Sequence, residues 1–175
     1  MPSPFQIIQP GGPSPPTQKP PHPADVVKDI THKDLRGLRV IIINMPLRES
    51  ARPNVTPEGP LLMATRLRNQ FGVDVSIIDF NAYRIKDELW RKRVVKGENL
   101  PWGRHKTLEE SEKQIWDHFA FYGEPDLVAF SGKITTFDWQ QKIAKAIRRI
   151  LPKVFMVSGG GLATELRTNL LNYIP

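Results

Sequence analysis

The sequence predicts an α/β fold: a flavodoxin- or Rossmann-like three-layer sandwich on a parallel sheet, with strand order about 2-1-3-4. Three observations carry this. First, Val40-Ile41-Ile42-Ile43 and Leu127-Val128-Ala129-Phe130 are short, continuously apolar runs, the pattern of strands covered on both faces. Second, amphipathic helical stretches alternate with such runs, which calls for parallel strands joined by right-handed crossovers. Third, the apolar runs end in polar or glycine-rich loops, and in an open α/β sheet ligands bind at such carboxyl ends.

Taken in order, the chain opens with a stretch, residues 1–23, that holds nine of the seventeen prolines. Proline without apolar periodicity reads as an extended tail or linker, so residues 1–36 are expected to stand apart from an α/β domain over 37–175. The first strand is Arg39-Val40-Ile41-Ile42-Ile43-Asn44. A proline-punctuated loop follows, then a helix with Thr56 as N-cap, Pro57 at its first position, and Leu61, Ala64, Leu67 and Phe71 inward. Gly72 sits where a C-terminal cap belongs. Val73 to Phe80 form the second strand, ending at Asp79.

From Asn81 to Glu124 runs a crossover far longer than one helix requires. It holds a helical piece near Asp87 to Val95, a turn at Leu100-Pro101-Trp102-Gly103, and a helix from about Leu108 to Phe121 with Ile115, Phe119 and Trp116 toward the core. The third strand, ending at Ser131, hands over through Gly132-Lys133-Ile134-Thr135-Thr136 to a helix, Phe137 to Leu151. On that helix Ile143, Ala146, Ile147 and Ile150 point inward and Lys142, Lys145 and Arg149 outward. Val154-Phe155-Met156-Val157 is the fourth strand, followed by Ser158-Gly159-Gly160-Gly161 and a helix near Leu162. The sequence stops at Asn172-Tyr173-Ile174-Pro175, where a fifth strand would be due, which reads as a fragment of something longer.

Composition narrows the function. The absence of cysteine excludes disulfides, thiolate metal sites, iron–sulfur ligation and cysteine nucleophiles within the chain. No apolar run is long enough to span a membrane, and Met1-Pro2-Ser3-Pro4-Phe5 does not open a secretory signal, so the plain reading is cytoplasmic. The net charge of +7 is concentrated: residues 84–106 carry eight Lys or Arg against three acids. This basic segment reads first as a solvated insertion. The alternative is a nucleic-acid-binding or scaffolding surface, with Trp90 and Trp102 available to stack bases.

The candidate ligand edge gathers three loops: the one after Asn44, the hydroxyl loop after Phe130, and the glycines after Val157. Consecutive glycines allow close approach to the main chain, and the next helix start offers N–H groups that suit a phosphate, or else they simply make a tight turn. A conventional dinucleotide site fits poorly, because Asn44-Met45-Pro46-Leu47 contains no glycine. A nucleotide-phosphate site on the triple-glycine turn stays open as an alternative.

Five stretches also resemble a known family. They are Arg39 to Pro46 (RVIIINMP), Pro57 to Leu67 (PEGPLLMATRL), Val75 to Asp79, Pro125 to Ser131, and Val157 to Thr164 (VSGGGLAT). In order and spacing, over about residues 38–172, they look like the cobalamin-binding domain ahead of many radical S-adenosylmethionine enzymes. The resemblance implies a corrinoid over the carboxyl edge, with its nucleotide tail running down beside the third and fourth strands. Ser131, Thr135 and Thr136 would then contact the corrin amides or the tail, with Gly132 and Ser158 beside them. Gly159 and Gly160 would line the tail channel, with Gly161, Ala163 and Thr164 at its rim. The loop from Met45 to Thr56, with Met45, Leu47, Arg48 and Asn54, would face the lower side of the cobalt.

Two departures from related patterns matter. The loop after the first strand has no histidine where methionine-synthase-like domains carry their cobalt ligand, and His22, His32, His105 and His118 fall elsewhere. Cobalamin without a protein histidine ligand is therefore expected. The three-cysteine cluster is also absent, so an iron–sulfur cluster, S-adenosylmethionine and the chemistry itself would belong to a downstream radical domain.

Overall fold

The computed structural model describes residues 32–47, 49, 51–53 and 55–173; the expected tail over residues 1–31 lies outside them. His32–Pro175 makes one compact unit. It begins with a single helical turn, α1 (His32–Leu35), inside the stretch expected as tail. Leu35 packs against the core, which gives that turn its anchor.

Four strands form one parallel sheet: β1 (Arg39–Asn44), β2 (Asp74–Asp79), β3 (Leu127–Ser131) and β4 (Phe155–Gly159). The order is β2-β1-β3-β4, every pair parallel, as in flavodoxin-like sheets. Helices lie on both faces, completing the sandwich.

Alternation along the strands assigns the faces. Ile41, Ile43, Val128 and Phe130 point to the larger core. There they meet Ile115 and Phe119 of α4 (Leu108–Tyr122), and Ile143 and Ile147 of α5 (Phe137–Ile150). Val40, Ile42, Val75, Leu127 and Ala129 point the other way, where α2 (Glu58–Phe71) supplies Ala64 and Leu67. The crossover contains α3 (Glu88–Val95), capped by the Asp87 carboxylate on the Trp90 N–H (2.9 Å). The Leu100 to Gly103 turn forms as expected, closed by a 3.1 Å bond.

Several local expectations are corrected. The N-cap of α2 is Pro57, not Thr56, with no side-chain cap, and Pro60 takes the buried place expected of Leu61. A proline in the first helical turn lacks only an N–H that would have had no intrahelical acceptor. Trp116 is 53% exposed, because Ile115 and Phe119 already fill the side of α4 that meets the sheet. Strand β4 continues two residues past Val157, so Gly159 belongs to the sheet, paired with Ser131. Helix α6 (Gly161–Leu166) therefore starts at the third glycine. No helix among the described residues is long and apolar enough to cross a membrane.

Candidate functional site

The carboxyl edge presents a polar row on the α2 side of the sheet: Asp79, Asn44, Ser131 and Gly159 are register partners across the four strands. Asn44 Nδ2 donates to Asp79 Oδ1 (2.8 Å), and the same oxygen accepts the Asn81 N–H (2.9 Å). The Ser131 hydroxyl has no side-chain partner among the described residues. Below this row, α2 leaves the β4 edge of the face uncovered. Val157 is 47% exposed and Phe155 75%, unusual for apolar residues in a strand.

The result is a groove of about 520 Å³ between α2 and the sheet. Its upper end is Ser131, Gly159 and Gly160; Ala129 and Val157 line its middle; Leu38 and Leu127 close its foot; Gly59 and Met63 of α2 form the opposite wall. Small residues on the central strand positions and the absence of a side chain at Gly159 keep it open. Ser158 contributes main chain only, since its hydroxyl accepts from Gln140 Nε2 (2.6 Å) on the other face.

The glycine loop and the hydroxyl loop are packed together. Gly132 N–H donates to Gly159 O (3.4 Å), and Gly132 O accepts from Leu162 N–H (3.2 Å). A Cβ on Gly160 (φ +79°) would fall 2.7 Å from Gly132 O, and one on Gly132 would fall 2.4 Å from Gln140 Oε1. Gly160 is thus needed so that the loops can touch, while Gly132 leaves room for the buried Gln140 side chain of α5. Gly159 differs: a Cβ there meets only Phe130 O at 3.7 Å, and at Gly161 nothing lies within 4 Å.

The structure thus divides the candidate residues. Ser131, Gly159 and Gly160 border the groove, and Ser131 and Gly160 also meet Leu47, Gly132 and Gly161 around a small cavity of about 120 Å³ on the edge. Thr136 is buried, and its hydroxyl accepts from Lys133 N–H (3.0 Å) and donates to Lys133 O (2.9 Å), so it shapes the loop from within. Thr135 lies apart, in a polar cleft of about 410 Å³ with Leu47, Trp139 and His105. Met45 is a core side chain whose N–H donates to Ser131 O (3.0 Å). Ala163 packs on the larger core, and the Thr164 hydroxyl turns back to Gly160 O (3.1 Å). Arg48 and Asn54 lie outside the described residues.

The basic segment is solvated in part: Lys86, Arg91, Lys92 and Lys96 are exposed, while other cations are engaged within the fold. Arg93 donates to both Glu49 oxygens (2.8 and 2.6 Å) and to Glu98 (2.6 Å). Arg104, 4% exposed, binds Asp87 and Glu110 together. Trp90 is tied through its indole N–H to Leu100 O (2.8 Å), with Lys86 over its ring. Burial works against the Glu49 carboxylate, yet Arg93 and the His105 N–H hold its pKa below the ordinary value.

Burial, then the neighbouring Arg84, lower the pKa of His105. Its Nε2 lies 2.6 Å from Leu47 O, an acceptor, so Nε2 carries the proton; Nδ1 accepts from Arg84. Both ring nitrogens are engaged. His118, whose pKa burial also lowers, bonds to the Ser76 hydroxyl (2.8 Å) on the far face. This network went unread in the sequence; its one visible signal was the unusual length of the crossover.

No family model matches this chain, and comparison with curated proteins and with solved structures gives no significant match.

Proposed function

We propose that this domain binds cobalamin, with the corrin over the carboxyl edge and the nucleotide tail in the groove beside β3 and β4. The observation that carries the reading is that groove. It starts at Gly159 and Gly160, runs down an apolar trough of about 520 Å³, and meets at its mouth a serine hydroxyl with no side-chain partner among the described residues. A flat apolar base with a polar link to a larger ring suits such a shape: apolar walls and few polar groups are what small-molecule sites share. Ser131, Gly159 and Gly160 would hold the tail, and Leu47 and Gly132 would border the ring. When bound, the cofactor would supply a cobalt centre for methyl or radical chemistry. In this reading no histidine of the chain ligates the metal, and catalysis belongs to a partner radical S-adenosylmethionine domain in the cytoplasm.

Two observations weigh for this over the alternatives. The N–H of Leu162 in the first turn of α6 is already taken by Gly132 O, and that helix is six residues long, a poor phosphate cradle. Trp90, Arg93 and Arg104 are committed within the fold, which thins the surface available to a nucleic acid.

The test is co-elution of hydroxocobalamin with the protein, with an altered visible spectrum, for the wild type and for Gly159→Phe. The backbone at Gly159 tolerates a side chain that would then fill the groove, so retention is expected to vanish while the melting temperature holds within about 3 °C. Equal retention by Gly159→Phe, or none by the wild type, refutes the reading. Nitrogen superhyperfine splitting in the electron paramagnetic resonance spectrum of the reduced complex would refute the unligated lower face.

A further inference from the structure

A crossover between parallel strands needs only a helix, yet the one between β2 and β3 makes an additional set of bonds to the loop that follows β1. His105 Nε2–H donates to Leu47 O (2.6 Å), and its main-chain N–H donates to Glu49 Oε1 (3.2 Å). Arg93 holds the Glu49 carboxylate through two nitrogens. Arg84 Nη2 donates to Ala51 O (3.3 Å), while its other terminal nitrogen meets His105 Nδ1. Three alternate residues of the loop, at 47, 49 and 51, are thus held by three crossover side chains. The crossover residues are themselves fixed, since Arg104 ties Asp87 at the start of α3 to Glu110 in the first turn of α4.

We infer that this crossover is a bracket that fixes Leu47, Glu49 and Ala51 of the loop after β1 at the ligand edge, with His105 and Arg93 as positioning residues for the ligand. The purpose assigned to the loop rests on the cobalamin reading; the bracket itself does not. A loop lacking regular hydrogen bonding keeps one shape only if other elements impose it, and a site pre-shaped in this way binds without ordering the loop first. The bonds are mutually dependent. His105 must be neutral to accept from Arg84 and donate to Leu47 O, and Glu49 must be ionised to join Arg93 to the His105 N–H. The charged groups facing His105 are Arg84 from the crossover and Glu49 from the loop, and the main chain of Leu47 and of Phe80 also faces it.

The experiment uses the whole chain without cofactor, and measures by mass spectrometry the rate of tryptic cleavage after Arg48. The variants are Arg93→Met, His105→Ala and His105→Gln. Arg93→Met and His105→Ala are expected to be cut about tenfold faster than wild type. His105→Gln, whose amide N–H can still reach Leu47 O, is expected to stay near the wild-type rate. Cleavage after Lys142 and Lys145 on α5 reports global unfolding and should not change; should His105→Ala fail to fold, Arg93→Met carries the test. Hydroxocobalamin dissociation constants are then expected to rise about tenfold in Arg93→Met, by the same loss of bonding. Unchanged cleavage after Arg48 overturns the bracket, and faster cleavage with unchanged affinity overturns the positioning role. If the wild type retains no cobalamin while cleavage after Arg48 still accelerates in both variants, the cofactor reading falls and the bracket stands.

Discussion

Replacing Arg104 with methionine removes the hub of the crossover while keeping much of its volume. The guanidinium donates to Asp87 through Nε (3.2 and 3.1 Å) and Nη2, to Glu110 through Nη1 (2.7 Å) and Nη2 (2.9 Å), and to His105 O (2.8 Å). Deleting one partner of a fully buried ion pair destabilises by about 3–5 kcal/mol. Here the Arg104 side chain is 5% exposed but its carboxylates are more than a third exposed, so water can replace the arginine at their open sides. Both acids also keep other bonds, Asp87 to the Trp90 N–H and Glu110 to the Thr107 N–H. The expected loss is therefore about 2–3 kcal/mol, or roughly 5–10 °C of melting temperature for a domain of this size.

The pH dependence gives this estimate a second handle. Hydrogen bonds from Arg104 hold the Asp87 and Glu110 carboxyls down at about 2. A carboxyl depressed on folding contributes stability above its unfolded pKa and loses it as pH falls through the folded one. The wild type should thus exceed Arg104→Met by the full margin above about pH 5, and the margin should close toward about pH 2. Urea unfolding followed by tryptophan fluorescence measures both ends. Equal stability at neutral pH, or a margin as wide at about pH 2.5 as at pH 7, would show that the hub is not what holds these carboxylates.

Other substitutions read the remaining parts of the fold. Gly160→Ala combines a strained left-handed backbone with a Cβ 2.7 Å from Gly132 O, and should lose about 2–4 kcal/mol in denaturant titration, whereas Gly161→Ala, at an open helical position, should be neutral or gain about 0.5 kcal/mol. Phe155→Ser, on a side chain already 75% exposed, should alter stability by less than about 0.5 kcal/mol; a loss above about 2 kcal/mol would mean that the β4 face is covered in solution. His105 and His118 both have pKa values lowered by burial, so each contributes stability above pH 6.5, its ordinary value, that is lost as pH falls. His105→Gln and His118→Gln should each flatten the decline in stability between about pH 6.5 and pH 5, and an unchanged slope in both would sink that assignment.

How much of this was legible beforehand followed the range of the interaction. The strands were readable because a buried parallel strand is a continuous apolar run, and Arg39 to Asn44 matches its structural bounds. Gly72 was readable as a cap because a left-handed residue at a helix end favours glycine, and its φ is +66°. The extra residues of β4 were not readable, since Ser158 and Gly159 have poor strand propensity and are held by pairing with Phe130 and Ser131. Trp116 was misplaced because helical periodicity marks a stripe but not its width. The charges of the crossover were least legible of all: Arg93 finds Glu49 across 44 positions and His105 finds Leu47 across 58, distances at which composition sees only a surplus of cations.

The same contrast explains why three adjacent glycines, alike in sequence, have three separate roles. Gly160 serves the contact between two loops, and its left-handed backbone would disfavour a side chain whether or not anything binds nearby. Gly161 opens a helix and faces empty space. Gly159 alone lies in the sheet on the groove side with room for a Cβ, so fold geometry leaves its small size unexplained. A bulky side chain there would be acceptable to the fold and would close the upper end of the trough, which makes Gly159 the position where the demands of folding and of binding separate. A substitution at Gly160 perturbs both at once and can discriminate nothing; one at Gly159 removes the space and leaves the loops in contact.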